Sequence, residues 1–325
     1  MSKFPDGIFQ YGGMPVGGGR YEAMWPSAKV YFVDYDNGTT GAGGKSPSNA
    51  FKYLDTAIGV ASACDVIYVR PRTPDTAGGD PQAHLPSSSS QYSIASTKHA
   101  LSIIGTGVGT ARRSANQTRL QGYSAATGSV MTVYAPYVNI ENITFRRGSS
   151  TGAGLLIEGQ TTGGSGYAFD VTVNKCGFWK LGATATKGAL YIESAWHCYV
   201  ENSWFEECAK GVGYGVSGSN VVGCNVIGCW FNGVDTTIDA DIYATSGSTI
   251  TEVFIHGCNF AHDIPALSSG NSYNKYIDFA TASGLISKCW FGTETETIAT
   301  NMDRSNCDVV DCWFTNTSNL NPNDD

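Results

Sequence analysis

The sequence predicts an all-β chain wound as a right-handed parallel β-helix, and three observations carry that expectation. The first is a repeat: an aliphatic residue is followed five positions later by Phe, with Cys, Ser or Ile two positions before the ring. It occurs as Ile140…Ile143-Thr144-Phe145, Val173…Cys176-Gly177-Phe178, Val200…Ser203-Trp204-Phe205 and Val226…Cys229-Trp230-Phe231. It returns as Ile255…Cys258-Asn259-Phe260, Ile286…Cys289-Trp290-Phe291 and Val309…Cys312-Trp313-Phe314. The Phe residues are 33, 27, 26, 29, 31 and 23 positions apart, the unequal period of a solenoid whose coils carry loops of different length. The second observation is a change of spacing within each repeat. Positions minus two, minus five and minus seven from Phe are apolar or small, and a switch from even to odd spacing requires a bend between two strands. Asn142, Asn202, Gly228, Gly257 and Asp311 occupy minus three, and these residue types tolerate the left-handed conformation of such a corner. The third is composition: Gly is 40 of 325 residues and charged residues only 15%, as suits turns and strands rather than helices.

The elements follow in chain order. Residues 1–29 have no strand or helix period yet hold Phe4, Ile8, Phe9, Tyr11 and Met14 among Gly and Pro. A disordered tail is poor in such residues, so this segment reads as an extended arm that anchors the chain to a partner or to neighbouring subunits. Residues 30–325 form a single β-helix domain. A helix is expected over about 47–63, because Ser46-Pro47 offers a start and Ala50, Phe51, Leu54, Ala57, Ile58 and Ala61 make an apolar stripe. It would close the open end of the solenoid, where unpaired backbone invites aggregation. Val66–Val69 reads as the first strand, and residues 66–314 would then make a rod of roughly nine coils, about 40 Å long at about 4.8 Å per coil. The run Gly105-Thr106-Gly107-Val108-Gly109 has no helix after it and reads as a β-helix turn rather than a dinucleotide loop.

Eight of the ten cysteines fall on inward positions of the repeat, whereas Cys64 and Cys208 lie outside it. Stacked inside a long rod, such thiols act as small hydrophobes and are expected to stay reduced. No CxxC or Cys/His cluster is present, so neither a metal site nor a cofactor is expected. The chain shows no apolar run of spanning length and no leader pattern, from which assembly in a cytoplasm and no membrane contact are expected. Charge is uneven: residues 1–150 carry 13 Lys/Arg against 9 Asp/Glu, and residues 151–325 carry 7 against 19. One end of the rod is mildly basic and the other acidic, which argues against nucleic acid as a partner. The pairs Arg112-Arg113 and Arg146-Arg147 read as solvated charges or a partner contact.

Trp204, Trp230, Trp290 and Trp313 all stand immediately before the inward Phe, so alternation turns them outward on one face, with Thr144, Gly177 and Asn259 interrupting the row. Such a row marks an interface between subunits, expected to be those of a homotrimer, or a platform for sugar rings, or a surface covered by the chain's own loops. Carboxylates are abundant in the acidic half: Glu158, Asp170, Glu193, Glu201, Glu206, Glu207, Asp235, Asp239 and Asp241. If the chain cleaves polysaccharide, Glu206, Asp239 and Asp241 are the residues expected to carry acid and base roles; otherwise no catalytic residue is expected. The histidines (84, 99, 197, 256, 262) are scattered, and His256 beside a corner reads as structural.

Tyr31-Phe32-Val33-Asp34, Asn37-Gly38, Ser46-Pro47, Ala50-Phe51 and Asp65-Val66-Ile67-Tyr68-Val69-Arg70-Pro71 together resemble the opening of pectate-lyase-like β-helix proteins. Ser102-Ile103-Ile104-Gly105-Thr106-Gly107 and Val138 to Phe145 resemble the first coils of that family. No segment matches the calcium or arginine motifs of its lyases, so the likeness implies fold and not activity. The start, Lys3-Phe4-Pro5-Asp6-Gly7-Ile8, is similar to the opening of β-helix virion proteins of tailed bacteriophages. That resemblance implies a virion protein bound to the major capsid protein or another virion component, as a decoration (cement) protein or short head fibre. A tailspike-type depolymerase acting on host surface glycan and a non-catalytic glycan-binding module are the alternatives.

Overall fold

Each repeat folds as two short strands joined by a one-residue corner, because the residue at minus three adopts a left-handed conformation. In the computed structural model φ is 55° at Asn142, 49° at Asn202, 61° at Gly228, 60° at Gly257 and 54° at Asp311. Lys175 and Lys288 take the same corner at 51° and 52°, although lysine has no preference for it. What holds them is the next coil: the Lys175 N–H donates to Glu201 O at 3.0 Å and the Lys288 N–H to Val310 O at 3.1 Å, as Asn202 N–H does to Ile227 O at 2.9 Å. A backbone hydrogen bond repeated at every coil outweighs the local strain of a non-glycine left-handed residue.

The structure describes residues 28–74, 82–88, 91–107, 117–122, 128–146, 152–159, 167–181, 187–232, 240–261, 275–292 and 302–314, with the backbone of 10–11 and 14–15. The coils stack into three parallel sheets. The first contains ten strands in series, from Val30–Val33 and Val66–Val69 through to Ala282–Ser287 and Asn306–Val310, with Asn220–Val222 paired beside Thr249–His256. The second sheet has nine strands, Ala83–His84 to Trp313–Phe314, and the third has eight, Tyr92–Ile94 to Met302–Asp303. The fold is thus a right-handed parallel β-helix. Nine strands of the first sheet run from Val66 onward, as expected, but Val30–Val33 pairs in register with Val66–Val69 and begins the helix one coil earlier.

Register converts the sequence repeat into columns. Phe145, Phe178, Phe205, Phe231, Phe260 and Phe291 stack with centroids 5.2, 4.7, 4.8, 4.9 and 4.7 Å apart and planes within 13° of parallel. Inward residues at minus two, minus five and minus seven are buried in one continuous core. All ten cysteines are free. In the minus-two column each thiol points at a carbonyl one coil back, as Cys258 Sγ does to Val226 O at 3.4 Å, and Ser203 fills the same place by donating to Glu201 O at 2.8 Å. Cys208, outside the repeat, is buried just past a further left-handed corner at Glu207, and Cys64 stands at such a corner with φ 66°.

The N-terminal cap differs from the expected helix over 47–63. Pro47–Asn49 is a 3-10 turn and only Leu54–Val60 is α-helical (α1). Between them Phe51 is extended, its N–H donating to Phe32 O at 2.8 Å and its carbonyl accepting from Asp34 N–H at 2.9 Å. Pairing of Phe51 with a distant strand, and burial of its ring against Tyr31 at 6.0 Å, displace the local helical preference. α1 still buries Leu54, Ala57 and Ile58 over the end of the rod. The backbone of Gln10–Tyr11 pairs antiparallel with Met14–Pro15. Phe4, Ile8 and Phe9, and the side chains of Tyr11 and Met14, lie outside the described residues.

The first coil is pinned by ion pairs, Asp34 with Arg70 at 2.7 Å and Asp36 with Arg72 at 3.0 Å, around a buried His84 whose Nε2 lies 2.7 Å from Arg70 O. Burial pushes the His84 imidazole down from 6.5 to about 4. The unfolded chain therefore takes up this proton as the pH falls through 6.5, the folded chain only near 4, and stability is lost across that window. Urea unfolding is expected to show a loss on the order of 2 kcal/mol between about pH 7 and pH 4.5. His84→Gln should shrink that loss, and an unchanged loss would exclude His84 as its source.

Candidate functional site

Two outward surfaces stand out, one on the second sheet and one at the corner between the third and first sheets. On the second sheet, the residues before the stacked Phe column face out, and in register they read Thr144, Gly177, Trp204, Trp230, Asn259, Trp290 and Trp313. The structure brings the predicted tryptophans onto this one face. The Trp204 and Trp230 indoles are parallel within 2° with centroids 5.0 Å apart, as in-register strands dictate. Trp230 is 38% and Trp313 57% exposed, whereas Trp204 and Trp290 are half-buried. None of these seven positions is charged; one coil before Thr144 the column continues in register to a buried Arg119.

One outward position further on, a different chemistry begins. Trp179 follows its Phe rather than preceding it and is buried, with the Arg146 guanidinium 4.8 Å, the Arg119 guanidinium 5.3 Å and the Lys180 amine 5.5 Å from its ring. Arg146 is half-buried and stacked on this indole; Arg112, Arg113 and Arg147 lie outside the described residues. Glu206 pairs in register with Trp179 and is buried, and Asp241, on the third sheet, is buried as well. The two carboxylates lie near enough to Cys208 to act on its thiol, which burial foremost pushes up to about 12. Asp239 lies outside the described residues. His256 has the structural role expected of it, with Nδ1 2.9 Å from Ser287 Oγ and its ring stacked on Phe254.

The second outward surface is the corner where each coil passes from the third sheet back to the first. Glu158 and Glu193 pair in register on neighbouring coils, and Lys187 Nζ lies 2.7 Å from Glu193 Oε2 and 5.2 Å from the Tyr191 ring. Burial, and next to it the Glu193 charge, raise the Glu158 carboxyl; burial and both glutamates raise the Tyr134 phenol. Beside them three aromatic residues stand well exposed: Tyr137 at 53%, Tyr167 at 50% and Trp196 at 45%. Phe169 meets Tyr137 edge-on at 4.9 Å and Tyr167 at 5.4 Å, and bridges through its backbone to Trp196. Tyr167, Ala168, Phe169, Ser194 and Trp196 line a surface depression. Sequence reasoning included Glu158 and Glu193 among many acidic residues but missed the aromatic group, although Phe169 and Trp196 both stand nine before their Phe and Tyr137 stands at the left-handed corner that Asp170, His197, Gly223 and Glu252 share at minus eight.

Among the described residues, no three His, Cys, Asp or Glu side chains converge as a metal site, and no helix is long and apolar enough to cross a membrane. No family model matches the chain, and no curated protein matches it significantly. Solved structures do. The protein of open reading frame 18 of Geobacillus virus E2 aligns with a TM-score of 0.50 at 14% identity, over 81% of this chain and 53% of its own. Pectate lyase Pel9A aligns with a TM-score of 0.52 at 10% identity, over 89% of this chain and 77% of its own. The molecule therefore has the pectate-lyase-like β-helix fold, a class that includes a viral protein and a polysaccharide lyase. The chain spans about half the length of the viral protein.

Proposed function

We propose that the chain is a structural protein of a tailed-bacteriophage particle, a capsid decoration (cement) protein or short head fibre. Three copies associate side by side and attach to the major capsid protein or another virion protein through the N-terminal arm. The observation that carries this reading is the uncharged tryptophan column on the second sheet. A solvated monomer gains nothing from exposing stacked indoles, and an apolar strip of this kind is what a subunit contact removes from water. The viral protein with the same fold and the phage-like opening of the arm support the setting.

The depolymerase reading draws less support from the geometry, because Glu206 and Asp241 are buried. The arm provides the test. Deleting residues 2–25 is expected to abolish co-sedimentation of the purified protein with particles lacking their own copy, while circular dichroism and the trimer are unchanged. Three linked arms bind by avidity, so the loss should be complete rather than graded. Attachment that survives the deletion would place the anchor elsewhere and refute the arm's role.

A further inference from the structure

The corner between the third and first sheets has the makings of a binding site that is separate from the tryptophan face. Its rings are held rigidly: Phe169 is wedged edge-on between Tyr137 and Tyr167, and Trp196 is tied to the same corner by the Phe169–Trp196 bridge. The backbone joins these rings to the polar groups, since Tyr167 N–H donates to Tyr134 O at 2.9 Å, Ala168 N–H to Glu158 O at 3.2 Å and Gly159 N–H to Glu193 O at 2.7 Å. Half-exposed rings on a corner whose incoming strands carry Glu158 and Glu193 in register suit a ligand that is apolar on one face and rich in hydroxyls at its edges. A pyranose is such a molecule: its C–H face stacks on an aromatic ring and its hydroxyls donate to carboxylate oxygens.

Charge then narrows the class. Glu158, Glu193 and Asp170 stand at the corner against Lys187, whose amine is already engaged by Glu193, and His197, whose ring nitrogen lies 3.8 Å from Asp170. Segments 160–166 and 182–186, which flank these strands in sequence, contain no charged residue. A uronate placed here would meet like charge, whereas a neutral or amino sugar would not. We infer that the corner formed by Tyr137, Tyr167, Trp196, Glu158 and Glu193 binds glycans of neutral or amino sugars and rejects polyuronates. This inference goes beyond the proposed structural role and does not depend on it, since none of its residues belongs to the second sheet.

The full-length protein, applied to a printed array of neutral hexose oligosaccharides, chitooligosaccharides and oligouronates, tests it. Retention of neutral or amino-sugar members and not of oligouronates is expected, with titration of a retained member giving its affinity. Trp196→Ala and Tyr167→Ser should each weaken that affinity by about tenfold or more, as loss of a stacking face does. Both residues are half-exposed, so the variants should keep the wild-type circular dichroism and unfolding midpoint. Glu158→Gln/Glu193→Gln should admit oligouronates. An array with no retained member, retention confined to oligouronates, or retention indifferent to Trp196→Ala and Tyr167→Ser would each overturn the inference.

Discussion

Replacing Phe231 by Ala is expected to cost about 3–5 kcal/mol of folding stability, the range for deleting a large buried aromatic side chain. Phe231 is buried between Phe205 at 4.8 Å and Phe260 at 4.9 Å, both rings nearly parallel to its own. Removing it opens a gap in the middle of the column, and the backbone cannot collapse to fill it because each coil is bonded to its neighbours above and below. The next strands pair through Trp204, Trp230 and Asn259 in fixed register. Measured by urea unfolding of the dissociated chain, Trp313→Ala, at a site 57% exposed, should cost far less than Phe231→Ala. Equal losses at the two positions would contradict a core built from the Phe column.

Truncating the indoles should act on assembly instead. Central tryptophans at subunit contacts contribute about 2 kcal/mol or more each, a factor of about 30 per residue in the dissociation constant. Trp230→Ala/Trp290→Ala is therefore expected to shift a wild-type trimer to monomer in analytical ultracentrifugation at micromolar concentration, with the monomer still folded. A wild-type protein that sediments as a monomer, with its indoles open to a soluble quencher, would remove the subunit contact.

The columns were legible in the sequence because a β-helix repeats its chemistry at every coil. Phe, the small residue two before it and the outward Trp each recur at one offset, and register follows from the offset alone. Corners at Asn142, Asn202, Gly228, Gly257 and Asp311 were legible by residue type. Those at Lys175 and Lys288 were not, since the force that bends them is a hydrogen bond to a coil 20 or more residues away. The helix expected over 47–63 was overextended for a related reason: Phe51 has a partner in Phe32 that no local window contains. The candidate corner was the least legible part. Glu158 and Glu193 become neighbours only once the intervening loop is discounted, and Tyr137, Phe169 and Trp196 come together at a corner whose left-handed residue recurs eight before each Phe but varies in type from Tyr to Asp, His, Gly and Glu, so residue type alone does not reveal it. Cys208 and Cys64 likewise acquire places, one in the core and one at a corner, only when the coils are closed.

The proposed virion role is tested most directly by electron cryomicroscopy of the particle to which it assigns the chain. Threefold projections are expected on the capsid, each holding three rods of ten stacked coils packed through the Trp204–Trp313 face, with the N-terminal segments running onto the capsid shell. A particle that lacks the protein, or carries it as single rods with that face in solvent, would contradict the assignment.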